Sequence, residues 1–302
     1  MLFVSCILIS CEKMVVEIDN EQEAGVTNKN VVIRISNVES GWNGATTRAL
    51  VSIDEVCTRL CFAVYKNGER VKNKNQKVSD SDFGTFSLQL DPGTYQLLAL
   101  GHSGIADPST TNPERIQFVN PSASNGTGFT DTFYYYGDFV VDEGGTQISI
   151  NMVRATSMFR LKTNDGKPSN VKEFQFLYTG GSGTLDATTG FGCVNSQQAL
   201  LVSVSDTQAG EPLTFEMYTF LHQETGSVTF TVKALGNSGI LYTKTFKNIQ
   251  MKRNCITQYT GDYFTDDNNE IEGEPLDPEV SGSSSGTVYV DPEWDNIYRF
   301  TF

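Results

Sequence analysis

The stretch Thr85-Phe86-Ser87-Leu88-Gln89-Leu90-Asp91-Pro92-Gly93-Thr94-Tyr95-Gln96-Leu97-Leu98-Ala99 decides the fold class. Phe86, Leu88 and Leu90 alternate with polar residues ahead of Asp91-Pro92-Gly93, and Tyr95, Leu97 and Ala99 alternate behind it. A period of two with one apolar face is the pattern of a half-buried strand. Pro92 fixes φ at the first turn corner and Gly93 accepts positive φ at the second, so the spacing predicts a tight hairpin.

Toward the N-terminus, residues 60–66 are an apolar run that meets Asn67-Gly68, a dipeptide that tolerates the positive φ of a type I′ turn and predicts another hairpin. Ile53, Val56, Cys57 and Leu60 share one face of a helical turn or two. Val31, Ile33 and Ile35 alternate with Arg34 and Ser36 as a strand, and a loop over 39–49 follows with Trp42 and Thr46-Thr47-Arg48-Ala49. Toward the C-terminus, a loop over 102–131, rich in Pro, Ser, Thr, Asn and Gly, is long enough to be a candidate for contact with a partner. Phe133-Tyr134-Tyr135-Tyr136 and residues 147–152 read as strands. Arg154-Ala155-Thr156 then marks a domain boundary without a Gly/Ser linker, which predicts a stiff joint. The second half repeats the style at 174–178, 213–221 and 228–235, through the turn Asn237-Ser238-Gly239 into 241–246, and from Arg253-Asn254 to Phe264. Many short strands and no helical periodicity of useful length indicate an all-β chain of two tandem β-sandwich domains. A chain of 302 residues can bury two such cores.

The two ends are of another kind. Leu8-Ile9-Ser10-Cys11, after a short apolar run and before Glu12-Lys13, resembles a bacterial lipoprotein signal in which Cys11 is lipidated after cleavage. No Lys or Arg precedes Cys11 as the basic opening of a secretory signal would, which leaves room for a start upstream of Met1. At the other end, residues 265–286 carry seven acids, no basic residue and Ser281-Gly282-Ser283-Ser284-Ser285-Gly286, the composition of a flexible linker. Residues 287–302 follow, with Val288, Val290, Tyr298, Phe300 and Phe302 alternating as strands. This terminal segment either completes another subunit's sheet or folds back as an edge strand of its own. The expected division is therefore signal 1–10, tether 11–29, domains 30–153 and 154–264, linker 265–286 and C-terminal strand segment 287–302.

A net charge of −14 and pI near 4.6 argue against a nucleic-acid partner, since no basic face would displace counterions from phosphates. Cys57, Cys61, Cys193 and Cys255 lack zinc-finger spacing; export would permit a disulfide, although Cys61 lies in an apolar run that suits a buried thiol. No cofactor, metal or catalytic residue is expected. His102, in a Gly-flanked loop, and His222, at the end of an apolar strand, read as surface or satisfied residues rather than catalysts. Gly282-Ser283-Ser284-Ser285-Gly286 fits the hydrolase elbow in letters but not in setting. Asp266-Asp267-Asn268-Asn269-Glu270 lacks the glycine and spacing of a calcium loop. Trp42, Trp294 and Tyr134 to Tyr136 motivate an alternative reading as a surface glycan-binding lipoprotein, by stacking on sugar rings.

Taken together, the signal at Cys11, the Leu90-Asp91-Pro92-Gly93-Thr94-Tyr95 turn, Arg154-Ala155, Arg253-Asn254, Ile256-Thr257 and Gly261 resemble the fimbrillin superfamily of Bacteroidales, in particular its FimB-type lipid-anchored subunits. The resemblance covers about Val31 to Phe264 and implies two transthyretin-like sandwiches in a structural fimbrial (pilus) subunit or outer-membrane anchor that supports adhesion. Its implied partners are other fimbrial subunits, the outer membrane through the lipid, and a host or bacterial surface ligand. In polymerising members a protease cuts after an Arg behind the first strand, freeing a groove that a neighbour's terminal strand fills. By position Arg48 and Ala49 match the cut, residues 31–38 (Val31, Ile33, Ile35) the removable strand, and Val288, Val290, Tyr298, Phe300 and Phe302 the donor. Anchor members keep the lipid and stay uncut, and the sequence leaves both types open.

Overall fold

The computed structural model describes residues 29–40, 49–118, 130–266, 268–276 and 294–302. Its first half contains β1 (Val31–Ser40), β2 (Ala49–Val51), α1 (Ile53–Val56), β3 (Arg59–Lys66), β4 (Glu69–Lys77), β5 (Thr85–Leu88), β6 (Gly93–His102), β7 (Ile116–Gln117), β8 (Thr132–Val141) and β9 (Thr146–Arg154). The second half contains β10 (Ser157–Thr163), β11 (Glu173–Thr179), β12 (Thr184–Asp186), β13 (Phe191–Gly192), β14 (Gln198–Ser203), a 3-10 turn (Asp206–Gln208), β15 (Thr214–Thr219), β16 (Thr225–Gly236), β17 (Gly239–Lys252), β18 (Cys255–Gly261), β19 (Glu270–Glu272) and β20 (Asn296–Thr301).

The all-β expectation holds, and both halves are wired alike. In the first, β1 lies between antiparallel β5 and parallel β9, opposite an antiparallel layer in the order β4-β3-β6-β8. In the second, β10 lies between antiparallel β15 and parallel β18, opposite β14-β11-β16-β17. Among the described residues, the layers of the first half touch through the ladder only where Phe133 meets Arg154 and Tyr134 meets Val153. The matching side of the second half is extended instead, by β19 beside β17 and β20 beside β18, both parallel.

Alternation fills each sandwich. Val31, Ile33, Leu60, Phe62, Val64, Leu97, Ala99 and Met152 are fully buried in the first core, and Phe159, Phe174, Phe176, Phe230 and Phe246 in the second. Within β1, a bulge between Ile35 and Asn37 switches parity, so that Val38 turns inward like Val31 and Ile33 before it. Asn67-Gly68 makes the β3–β4 hairpin with φ of 54° and 82°.

Two readings of the sequence are corrected. Asp91-Pro92-Gly93 is not a hairpin: β5 pairs with β1, β6 pairs with β3 and β8, and the turn crosses between layers. The Asn30 amide holds the near side of that crossing, donating to the Leu90 carbonyl (2.7 Å) and accepting from its N–H (3.0 Å). Gly93, at φ 147°, turns the chain into the other layer. Second, the acidic stretch after Thr265 is partly folded against the body. Lys244 is 1% exposed, and its ammonium finds its acceptors there: the Asp266 carbonyl (3.0 Å) and carboxylate (3.3 Å) and the Asn268 carbonyl. A buried ammonium must be paired, so the segment docks and Ile271 is buried with it. Of the 102–131 loop, residues 102–118 and 130–131 are described, and residues 116–118 pack within the chain. Ile116 and Gln117 pair with Leu185 and Thr184, and Phe118 packs on Phe220 at 5.2 Å between centroids. Together with Cys61, Leu98, Leu100 and Ala155 these form an apolar cluster between the halves.

Phe159 stacks on Phe230 at 4.2 Å and meets Phe246 edge-on. Phe159→Ala is expected to lower unfolding free energy by about 3–5 kcal/mol, read from a shifted denaturant midpoint.

Candidate strand-exchange site

The candidate residues fall at two places. At the first, Val31 and Ile33 are fully buried and Ile35 is partly buried in β1, with ladders on both sides: Val31 and Ile33 face Leu88 and Phe86 of β5, and Thr146 and Ile148 of β9. Ala49 opens β2 opposite Ser40, whereas Arg48 lies outside the described residues, as do Cys11, Trp42, Val288 and Val290. At the second place, Tyr298, Phe300 and Phe302 lie in or beside β20, which pairs with β18 of its own chain from Cys255↔Asn296 to Thr260↔Thr301. Tyr298 is 7% exposed, Phe300 stacks on Tyr259 at 5.0 Å and Phe302 meets Phe246 edge-on at 5.1 Å. The two places differ in kind: among the described residues, β1 is internal to its sheet and β20 has a single neighbour.

Arg154 holds the entry to β20. Its guanidinium lies 3.9 Å from the Trp294 ring and 4.8 Å from the Phe133 ring. Nε donates to both Asp131 oxygens at 2.9 Å, and a terminal nitrogen donates to Asn254 Oδ1 at 2.7 Å. Asp131 also accepts from the Thr156 hydroxyl at 2.8 Å. Burial raises the Asp131 carboxyl above its ordinary range, and Arg154 pulls against that shift. One side chain thereby connects β8, β9, the β17–β18 turn and the C-terminal segment. Trp294, 3% exposed, is spent on this contact rather than offered to a sugar, and Tyr134 and Tyr136 pack against the cluster between the halves. The sequence marks Arg154-Ala155 but not Asp131. Nothing local marks an aspartate in a loop as the partner of an arginine that lies on another strand.

Cys61, His102 and Asp107 bring a thiol, an imidazole and a carboxylate within 4.8 Å of one another. His102 Nδ1 accepts from Gly104 N–H (3.1 Å), which puts the ring proton on Nε2, facing Asp107 Oδ1 at 3.6 Å and Cys61 Sγ at 3.9 Å. Asp107 also accepts from Arg59 and Asn75, each at 3.0 Å. Burial pushes the Cys61 thiol well above its usual range and lowers His102 from 6.5 to about 4. With Nε2 protonated, the imidazole points its N–H toward the Cys61 sulfur and the Asp107 carboxylate at the end of β6. Cys57, Cys61, Cys193 and Cys255 are free thiols.

Among solved structures, this body is similar to an adhesin candidate from Bacteroides ovatus, at TM-score 0.53 and 10% identity over 90% of this chain and 85% of that one. A second adhesin candidate from Bacteroides ovatus ATCC 8483 aligns at TM-score 0.50 and 14% identity, covering 83% and 95%. The fimbrial anchor protein Mfa2 from Porphyromonas gingivalis aligns at TM-score 0.40 and 14% identity, covering 71% and 80%. Among curated protein sequences no match was found. The fold is thus that of an all-β sandwich protein shared with Bacteroides adhesin candidates. More specifically, the family model "Fimbrillin-A associated anchor proteins Mfa1 and Mfa2" matches residues 52–299, and the chain belongs to that family. Its role is accordingly fimbrial, at the cell surface and among other fimbrial subunits. No helix among the described residues is long and apolar enough to cross a membrane.

Two outcomes follow from these geometries. Arg154→Ala leaves Asp131 with an uncompensated buried charge and is expected to cost about 3 kcal/mol, part of which returns in Arg154→Ala/Asp131→Asn, as chemical denaturation of the cycle will show. As pH falls from 6.5 toward about 4, the unfolded chain protonates His102 and the folded chain does not. Stability is therefore lost over that window, by on the order of 3 kcal/mol, and levels off below it. His102→Gln should flatten that part of the pH–stability curve.

Proposed function

We propose that the chain is a fimbrial anchor, held to the outer membrane by lipid on Cys11 and joined to the fimbrial subunits by exchange of its C-terminal strand. Two sandwich domains, 30–153 and 154–264, form its body. The observation that carries this reading is the contrast between the two candidate strands. Withdrawing β1 breaks ladders on both sides and uncovers Val31, Ile33 and Val38, each worth about 1.5–3 kcal/mol of burial. Withdrawing β20 breaks, among the described residues, one ladder at a sheet edge and uncovers Ile297 and Tyr298. An anchor that keeps its N-terminal lipid must also keep the chain continuous through Arg48, so β1 stays in place and β20 is the strand free to be exchanged. In a neighbour's groove the same alternating face would be covered by β-augmentation, with side-chain pockets setting the register.

Mass analysis of the mature protein tests the anchor half of the reading. An acylated Cys11, with Cys11→Ser released from the membrane fraction, is expected; an N-terminus at Ala49 would instead mark a polymerising subunit. Deleting 287–302 tests the other half. A folded body that no longer co-assembles with fimbrial subunits is expected, and co-assembly at the original level would rule out exchange through this strand.

A further inference from the structure

The edge strand β4 carries charge of the wrong sign for its chain. Lys66, Arg70, Lys72, Lys74 and Lys77 fall within residues 66–77 beside one acid, Glu69, in a protein of net charge −14. Among the described residues no strand pairs with the outer edge of β4, which ends its sheet. Lys74 is ion-paired to Asp82, while Arg70 bonds to the Thr110 hydroxyl and Lys66 lies over the Tyr95 ring, neither of which cancels a charge. Lys72 and Lys74 stand opposite Val64 and Phe62 and share one face, two residues apart. At the far end of the other antiparallel layer, β19 is an edge of opposite sign. Among the described residues nothing pairs beyond β19, where Glu270 and Glu272 are exposed, two residues apart and on one face, with Ile271 turned into the core between them; Glu270 is ion-paired with Lys247, and Glu272 accepts from the Asn248 amide.

We infer that the β4 edge is a docking surface for an acidic strand, and that its occupant is β19 of a second copy of this chain. Two β4 edges brought together would place lysines opposite lysines, and two β19 edges glutamates opposite glutamates, arrangements that destabilise a ladder. Lys72 and Lys74 against Glu270 and Glu272 match in both sign and spacing. The contact is heterologous, since the surface each copy presents differs from the one it receives, so it extends head to tail rather than closing as a symmetric dimer. This is separate from exchange of β20, because it adds a strand outside two finished sheets and removes none. The competing role for edge lysines is to repel any incoming strand. The two roles give opposite responses to charge reversal.

Sedimentation velocity of the full chain in mild detergent decides between them. The weight-average mass should rise with protein concentration at low ionic strength and fall toward the monomer as salt shortens the screening length. Lys72→Glu/Lys74→Glu should weaken association at least tenfold. Glu270→Lys/Glu272→Lys should do the same, and mixing the two variants should restore it, because each then presents what the other lacks. A wild-type chain that stays monomeric throughout, a Lys72→Glu/Lys74→Glu chain that associates as well as or better than wild type, or a mixture without recovery would each overturn the assignment. The β4 variant carries the test by itself if the β19 variant, which also loses the Lys247–Glu270 ion pair, proves poorly folded.

Discussion

The structure depends on one pairing made twice: the strand that opens each half is completed by the strand that closes it, side by side and parallel, β1 with β9 and β10 with β18. Parallel neighbours cannot be joined by a tight turn, so the chain between them crosses to the opposite layer and back before the closing strand can pair. Neither sandwich can finish its core until its last strand arrives. Val31 and Ile33 wait on Ile150 and Met152, and Phe159 and Leu161 wait on Tyr259. Such closure between sequence-distant segments is slow to nucleate and leaves edges uncovered meanwhile.

Between the halves, charge and apolar packing are layered rather than mixed. Leu98, Leu100, Ile116, Phe118, Leu185 and Phe220 supply non-directional adhesion, and the β7–β12 ladder adds register. Arg154 supplies direction: a planar cation between two aromatic rings and bonded to a carboxylate admits little rotation. Because Trp294 is one of those rings, the C-terminal segment is part of the joint as well as of its own sheet.

Much of this was legible in the sequence. Alternation located β1, β3, β6, β9 and β16, and Asn67-Gly68 located a hairpin, because side-chain period and turn chemistry are local properties. What alternation cannot report is which layer a strand enters. Phe86 and Leu97 bury their faces in one core from opposite sides, and the turn between them reads the same whether it folds a hairpin or crosses a sandwich. Composition misled at Glu270–Glu272, where acids flank a single buried isoleucine and the stabilising partner, Lys244, is a cation inside another strand. The candidate strands were recognisable as strands. Their status as internal or edge was not, since it depends on neighbours a hundred or more residues away.

Gly261 closes β18 under the last residue of the chain. A side-chain carbon there would come within 2.1 Å of the Phe302 carbonyl oxygen, so only glycine lets the terminus settle. The body therefore carries an imprint of its own tail. Any foreign strand competing for that berth must thread its backbone through a gap shaped for this one, and a tail that leaves finds its place still cut to measure when it returns.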